Sequence, residues 1–100
     1  MKTERELLEA AAKAAGIAIE WDGDLPIPFG SDVAWNPLTD DGDALRLAVK
    51  LKLKITIGNA IVMVESRWPT PDAGERFDSD DEAATATRRA IVCAAAAMAG

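Results

Sequence analysis

The residues best suited to metal or acid–base chemistry are three aspartates crowded into the stretch TDDGDALRLAVKL, namely Asp40, Asp41 and Asp43. Further aspartates that could join them around Mg²⁺ or Ca²⁺, which prefer oxygen ligands, are Asp22, Asp24 and Asp78. The local spacing does not match an EF-hand loop, in which acids alternate and a distant Glu follows. The same aspartates stand where a helix must begin, and there they can cap exposed N–H groups and interact favourably with the helix dipole. We therefore interpret the cluster as a helix start and predict no metal site and no cofactor.

The chain contains no histidine and a single cysteine, Cys93. Without an imidazole, Ser–His and Cys–His catalysis, His-containing zinc sites and histidine acid–base chemistry are excluded. Cys93 lies in the apolar segment AIVCAAAA, where the pKa of a thiol is raised and its reactivity falls. We predict no catalytic residues and a protein that is not an enzyme. A lone cysteine also fits a reducing cytoplasm, which is the predicted location.

Two basic clusters could contact nucleic acid: Lys50, Lys52 and Lys54 form one, and Arg88 and Arg89 form the other. Three tryptophans could stack on bases, and they are Trp21, Trp35 and Trp68. However, 11 Lys and Arg residues stand against 17 Asp and Glu residues, and the net charge of −6 repels phosphate on average. Alternating lysines are also common on edge strands, where they prevent unwanted pairing. Nucleic-acid binding is therefore the alternative function.

Length and composition predict one globular domain that spans residues 1–100. The chain is 49% hydrophobic and 28% charged, which is typical of a folded domain and too apolar for disorder. Its N-terminal segment mixes both charge signs and lacks the pattern of a signal peptide. The longest uncharged apolar run, AIVCAAAAMAG, is much shorter than the roughly 20 residues that a membrane-spanning helix needs. We expect no membrane association.

The first half of the chain predicts a helix, a strand, a loop and a second helix. Thr3 and Glu6 form a capping box, and Gly16 can end the first helix. The alternation of IAIEW predicts a strand over 17–21. Residues 22–37 predict a loop, because the two prolines of LPIPF remove donors from a strand ladder. The second helix carries apolar residues at helical spacing, and they are Ala44, Leu47, Ala48 and Leu51, with Leu45 and Val49 widening the apolar face.

The segment KLKITIGNAIVMVES gives the clearest local signal, a β-hairpin. Gly58 and Asn59 suit a two-residue turn. The pairs that this turn predicts are Ile57 with Ala60, Ile55 with Val62, and Leu53 with Val64. They form an aliphatic face for the core, whereas the opposite face carries Ile61 and Met63, which would be out of place in water. Either a helix covers that face, in a three-layer α/β/α sandwich, or another subunit does.

A third helix follows a second predicted loop, RWPTPDAGERFDSD. Ser79 and Glu82 predict a capping box at its start, and the helix continues to the end of the sequence. The predicted order is thus α-β-α-β-β-α. The predicted class is an α/β (α+β) domain, with a small, mainly antiparallel sheet packed by helices.

The segments AWNPLTDDGDALRLAVKL and DEAATATRRAIVCAAAAMAG resemble the phage α/β/α (ABA) sandwich domain family, small proteins encoded by bacteriophages and prophages. The residues that carry the resemblance are Trp35, Asn36, Pro37, Leu38, Thr39, Asp40, Asp43, Ala44, Leu47, Arg88, Arg89, Ala90 and Ile91. The opening LLEAAAKAAGI also fits the first helix of the family. The resemblance implies a fold and a phage or prophage origin, with the protein in the cytoplasm of a host bacterium. It implies no catalytic residue.

These features favour a non-enzymatic protein-interaction module. The predicted interface contains Ile61 and Met63, and the partner would be a second copy of the chain, forming a homodimer, or another protein of phage or host. The alternative is an accessory nucleic-acid-binding protein, which would use Lys50, Lys52, Lys54, Arg88 and Arg89.

Overall fold

Helices and short antiparallel strands follow one another in the order α-β-β-α-β-β-β-α. The structure is a computed structural model that describes residues 3–66 and 73–99. In these residues the elements are α1 (Glu4–Ala15), β1 (Ile19–Asp22), β2 (Leu25–Pro28), α2 (Asp41–Leu51), β3 (Lys54–Ile57), β4 (Ile61–Glu65), β5 (Ala73–Arg76) and α3 (Asp80–Met98). The strands form two antiparallel sheets, β1-β2 and β3-β4-β5. The α+β class is confirmed, whereas the predicted order was wrong because it lacked β2 and β5.

The first helix, α1, begins and ends where its sequence predicts. The Thr3 hydroxyl accepts a hydrogen bond from the Glu6 N–H at 3.1 Å, and the Glu6 carboxylate accepts one from the Thr3 N–H at 3.2 Å. This exchange satisfies two N–H groups of the opening turn. Gly16 ends the helix in the left-handed region, at a φ of 71°. The buried side of α1 consists of Leu7, Leu8, Ala11, Ala12 and Ala15.

The strand β2 forms in spite of its two prolines. It pairs with β1 so that Pro26 faces Trp21 and Pro28 faces Ile19. The N–H of Phe29 donates to the carbonyl of Ala18 at 3.0 Å, and this bond fixes which positions of the ladder exchange hydrogen bonds. Hydrogen-bonded and non-hydrogen-bonded pairs alternate along an antiparallel ladder. Both prolines therefore fall in non-hydrogen-bonded pairs, which need no N–H toward β1. The predicted loop was wrong here, because proline is tolerated at such positions of an edge strand.

The second helix, α2, ends on a lysine in an unfavourable backbone conformation. Lys52 has a φ of 55°, and among the described residues it is the one non-glycine residue with a positive φ. Its N–H donates to the carbonyls of Ala48 and Val49, which closes the last turn of the helix. A left-handed conformation costs an L-residue about 1–2 kcal/mol, and glycine avoids this cost.

We therefore expect Lys52→Gly to raise the free energy of unfolding by about 0.5–1 kcal/mol, since glycine relieves the strain but loses more backbone entropy on folding. Urea denaturation measures this change. The matched control is Lys50→Gly, two residues earlier and inside α2, which should lower the free energy of unfolding by about 1 kcal/mol. A loss of stability in both variants would contradict the prediction.

The β3–β4 hairpin has the predicted faces but a different register. Ile55 pairs with Val64 and Ile57 with Val62, so the register is shifted by two residues from the predicted one. The chain reverses over four residues, 58–61, and the N–H of Gly58 donates to the carbonyl of Ile61 at 2.9 Å. A shift of two positions preserves the side to which each residue points. The side to which each residue points was therefore predicted correctly and the register was not, and Ile57, which was predicted to be in the core, is exposed.

A third strand, β5, extends this sheet inside a segment that predicted a loop. Ala73–Arg76 pairs with β4, and Gly74 lies opposite Met63. A Cβ atom on Gly74 would lie 2.8 Å from the Met63 sulfur, so a larger residue there would force the flexible Met63 side chain to shift. The buried Phe77 follows the strand, and its N–H donates to the carbonyl of Ala60 at 3.0 Å. The rest of the predicted loop, 67–72, lies outside the described residues.

The long helix α3 occupies the centre of the molecule. It packs against α1, α2, β4 and β5. Almost every residue over 90–96 is buried, which covers all sides of a helix with 3.6 residues per turn. Small alanine side chains let the neighbouring elements approach it on each side. The three-layer sandwich prediction was wrong, because in the described residues a helix is the central layer and α3 packs on the Val62–Val64 face of the sheet.

The start of α3 differs from the predicted capping box. Ser79 is the N-cap residue, but its hydroxyl makes no capping hydrogen bond. The Glu82 carboxylate accepts instead from the N–H of Asp78 at 3.2 Å, one residue earlier than predicted. Although α3 is the longest helix in the described part of the chain, no helix there has the length and apolarity to cross a membrane.

Candidate functional site

The described residues form an open groove of about 340 Å³ between α2, β3 and the N-terminal half of α3. We call it the α2–β3–α3 groove. Its apolar lining consists of Ala44, Leu45, Ile55, Ile57, Ala83, Ala84 and Ile91. Each element contributes for a local reason: successive turns of α2 and α3 present residues at helical spacing, and alternation along β3 directs Ile55 and Ile57 to the same side. The groove can hold apolar side chains of a ligand or a partner.

Three large apolar side chains in or beside this groove are exposed to solvent. Leu45 is 61% exposed and Ile57 is 61% exposed, and both line the groove. Val49, one turn after Leu45 on α2, is 67% exposed. The sequence predicted that Leu45 and Val49 would widen the buried face of the helix, and this was wrong. The helix buries the narrower stripe of Ala44, Leu47 and Ala48, because the described elements pack only against that side.

Arg88 fixes α3 to the start of α2 at one wall of the groove. Its Nε donates to the Leu38 carbonyl at 3.0 Å, and its Nη1 donates to the carboxylate of Asp41. Its Nη2 donates to the Thr85 hydroxyl at 3.1 Å. The Arg88 side chain is only 17% exposed. Leu38 and Asp41 precede Arg88 by 50 and 47 positions in the sequence, so these two contacts make Arg88 a structural cross-link.

The five basic residues of the nucleic-acid alternative are not gathered in one place. Arg88 lines the groove, whereas Arg89 lines a different cleft beside β5 and forms an ion pair with Glu75 at 3.5 Å. Both arginines thus already have carboxylate partners. Lys50, Lys52 and Lys54 are exposed around the end of α2 and the start of β3, and within the described residues they form no ion pair.

The tryptophans named as stacking candidates have different environments. Trp35 is buried in the core. Trp21 is half-buried, and the guanidinium of Arg5 lies 4.2 Å from the centre of its ring, in a cation–π contact. Trp68 lies outside the described residues. The two described side chains already have protein partners for their rings.

The predicted interface residues lie on the face of the β3-β4-β5 sheet that points away from the core. Ile61 is 39% exposed, less than Leu45 and Ile57, and lies opposite Arg76. Met63 is half-buried against Gly74. This pair offers less exposed apolar surface than the side chains at the groove, which the sequence did not single out.

The acidic cluster at the start of α2 is occupied with capping and ion pairs. The Asp40 carboxylate accepts from the Asp43 N–H at 2.8 Å, which confirms the helix-start interpretation. The Asp43 carboxylate accepts from the Asn36 N–H at 2.9 Å and pairs with Arg46 at 2.7 Å. In residues 3–66 and 73–99, no three His, Cys, Asp or Glu side chains are grouped so that they could hold a metal ion.

The Cys93 thiol is held in its neutral form. Burial raises its pKa above the ordinary value of 9.0, the charge of Glu75 raises it further, and Arg89 lowers it. A thiol that keeps its proton is a poor nucleophile. Because the folded state binds this proton more tightly, the thiol favours folding below pH 9.0, and this contribution is lost as the pH rises through the raised pKa.

We expect iodoacetamide to alkylate Cys93 more slowly in the native protein than in urea at the same pH. The pH profile of the native rate should have its midpoint above 9.0. Mass spectrometry of quenched samples measures both rates. The control is Arg89→Gln, which removes the neighbouring positive charge and should move the midpoint higher still. A native midpoint below 9.0 would contradict the pKa direction.

Comparison with known proteins gives no match to a family model, to a curated protein or to a solved structure. The resemblance to phage sandwich domains therefore stays a prediction.

Proposed function

We propose that the protein is a non-enzymatic interaction module that binds a protein partner through the α2–β3–α3 groove. The observation that carries this proposal is the exposure of Leu45 and Ile57, which both line one apolar depression, with the exposed Val49 one turn further along α2. A phage or prophage origin, which the sequence resemblance implies, would make the partner a phage or host-cell protein. The absence of histidine from the sequence supports a role that needs no imidazole acid–base catalyst.

The physical support is the free energy that a partner would release by covering these side chains. Complete burial of an exposed Leu, Val or Ile contributes about 1.5–3 kcal/mol. Side chains that are about two-thirds exposed retain much of that free energy for association. Exposed apolar side chains that surround a depression are characteristic of interaction sites, whereas single exposed ones are ordinary.

The test is a comparison of three forms of the full chain as baits in a lysate of the cells that encode it. We expect Leu45→Glu to lose partners that the wild type retains, because a carboxylate would stand in the apolar contact. Val33→Glu is the matched control, since Val33 is 73% exposed and is not part of the groove lining. Identical retention by all three forms would contradict the proposal. Circular dichroism of each variant checks that it is folded.

The nucleic-acid alternative would depend on Lys50, Lys52 and Lys54, since both arginines are paired with carboxylates. Three neighbouring lysines give a weak, salt-sensitive contact with phosphates. A mobility-shift assay at low salt with single-stranded and duplex DNA and RNA tests it. A shift that disappears when the three lysines are changed to Gln would favour this alternative over the groove.

A further inference from the structure

We infer that the free edge of β3 binds an extended peptide segment of alternating aliphatic and acidic residues. The segment would add a strand to the β3-β4-β5 sheet and place its aliphatic side chains in the α2–β3–α3 groove. This inference rests on the proposed function and names the class of its partner. It is argued from the backbone of β3, from the direction of its side chains, and from the local charge.

The strand β3 has unused backbone hydrogen-bonding groups. It is the first strand of the order β3-β4-β5, so one of its edges has no neighbouring strand in the described residues. The N–H of Gly58 donates to the carbonyl of Ile61, and ladder alternation then directs the groups of Lys54 and Thr56 toward β4. The N–H and C=O groups of Ile55 and Ile57 point to the open edge. A partner strand can pair with them.

The same two residues also line the groove. Ile55 and Ile57 point their side chains to the groove side of the sheet. In an added strand, the residues opposite them point to that side too, beside the exposed Leu45. Aliphatic residues at every second position of the partner would therefore be buried, while its backbone pairs with β3.

The charge on the other side of β3 favours acidic residues in the partner. Lys54 and Thr56 point away from the groove, so the intervening residues of the partner lie beside them. Lys54 faces Glu65 across the ladder but forms no ion pair within the described residues, and the same holds for the nearby Lys50 and Lys52. Acidic residues at those partner positions gain opposite-charge contacts across the strands. Local charge dominates over the net charge of −6, because more distant charges are screened.

The same lysines disfavour a second copy as the occupant. Two β3 strands that paired about a twofold axis would bring Lys52 and Lys54 of both copies to one small sheet region. Like charges on neighbouring strands are destabilising, and lysines on edge strands commonly prevent such pairing. A partner segment with acidic residues removes this repulsion.

The experiment is a titration of the ¹⁵N-labelled full chain with a synthetic peptide of roughly six residues that alternates Val and Glu. We expect the largest amide shifts at Ile55 and Ile57. A peptide that alternates Val and Lys should bind about tenfold more weakly, since each opposite-charge contact becomes a like-charge contact. Lys54→Glu should weaken binding of the acidic peptide by a similar factor. The remote Lys13→Glu makes the same change of charge and should leave the affinity unchanged.

Methylation of the peptide nitrogens separates strand addition from simple groove binding. In antiparallel addition the N–H groups of the Val residues face β3, and in parallel addition those of the Glu residues do. Methylation of the peptide nitrogens that face β3 should abolish binding, and methylation of the nitrogens that face away from β3 should be tolerated. Equal effects of the two patterns would overturn the inference. So would shifts at Ile55 and Ile57 that depend on protein concentration without peptide, since these would identify a second copy as the occupant.

Failure of this inference is distinguishable from failure of the proposed function. If lysate partners require Leu45 but the acidic peptide does not bind, the groove remains an interaction site and strand addition is wrong. If neither the lysate partners nor the peptide depends on the groove residues, both are wrong.

Discussion

Replacing Leu47 with alanine is expected to lower the free energy of unfolding by about 2–5 kcal/mol. Leu47 is 2% exposed and is among the largest fully buried side chains of the described residues. It lies on the side of α2 that faces the core, with Ala44 and Ala48. Alanine would remove its apolar contacts and leave a cavity, because the surrounding helices can only partly close the space. Urea and thermal denaturation measure the change.

The matched control is Leu45→Ala, the same substitution two residues earlier on the same helix. Leu45 is 61% exposed, so we expect a change within about 0.5 kcal/mol. The same variant should weaken binding to groove partners, since it removes an exposed apolar contact. Stability and binding are thus separated on one helix. Equal destabilisation by the two substitutions would mean that Leu45 is also part of the core, and the groove would lose its most exposed wall.

Local sequence signals predicted the helix starts of this fold with good accuracy. The capping box of Thr3 and Glu6 forms as predicted, and Asp40, one of several capping candidates at the start of α2, is the N-cap residue there. Each of these contacts involves groups no more than three residues apart. At Ser79 the same reasoning was only partly correct. There the Glu82 carboxylate bonds to Asp78, and the serine hydroxyl is not used. Local patterns identify where a helix begins, but small shifts of backbone geometry decide which N–H group is capped.

Strands whose formation depends on the register with a second strand could not be predicted. The sequence AGER has little strand propensity, and β5 forms because β4 offers an edge and Gly74 accommodates Met63. β2 forms because its prolines fall at positions without ladder bonds. Both facts depend on register, which a single strand does not specify. The alternation of the hairpin did predict its two faces, because alternation is a property of each strand alone.

The candidate site, too, was predictable in its residue types but not in its position. The apolar character of Leu45, Ile55 and Ile57 is plain in the sequence, and for that reason they were predicted to be core residues. Their position at a groove depends on where α3 ends its packing against α2 and where the sheet stops. The contact of Arg88 with Asp41 spans 47 residues and has no local signature. What the sequence could have indicated is that the apolar arc of α2, which runs around the helix from Leu47 through Ala44 and Leu45 to Val49 and spans roughly 200°, exceeds what one neighbouring helix can cover.

Replacing Ala95 with leucine is expected to lower the free energy of unfolding by about 1–3 kcal/mol, although leucine is more apolar than alanine. Ala95 is 0% exposed on a part of α3 that is surrounded on all sides. The added carbon atoms have no free volume there, so α1, α2 or the sheet must move apart and lose contacts made by other side chains.

The control for this prediction is Ala84→Leu on the exposed N-terminal half of the same helix. Leucine and alanine have similar helix propensities, so stability should change by less than about 0.5 kcal/mol. Because Ala84 lines the groove, the larger side chain should nevertheless obstruct binding of the acidic peptide. The two variants make the same chemical change with opposite consequences: Ala95→Leu tests the tight packing around α3, and Ala84→Leu tests whether the groove is open. If Ala95→Leu were as stable as the wild type, the alanine-rich centre would contain unfilled space, and the central position of α3 would be incorrect.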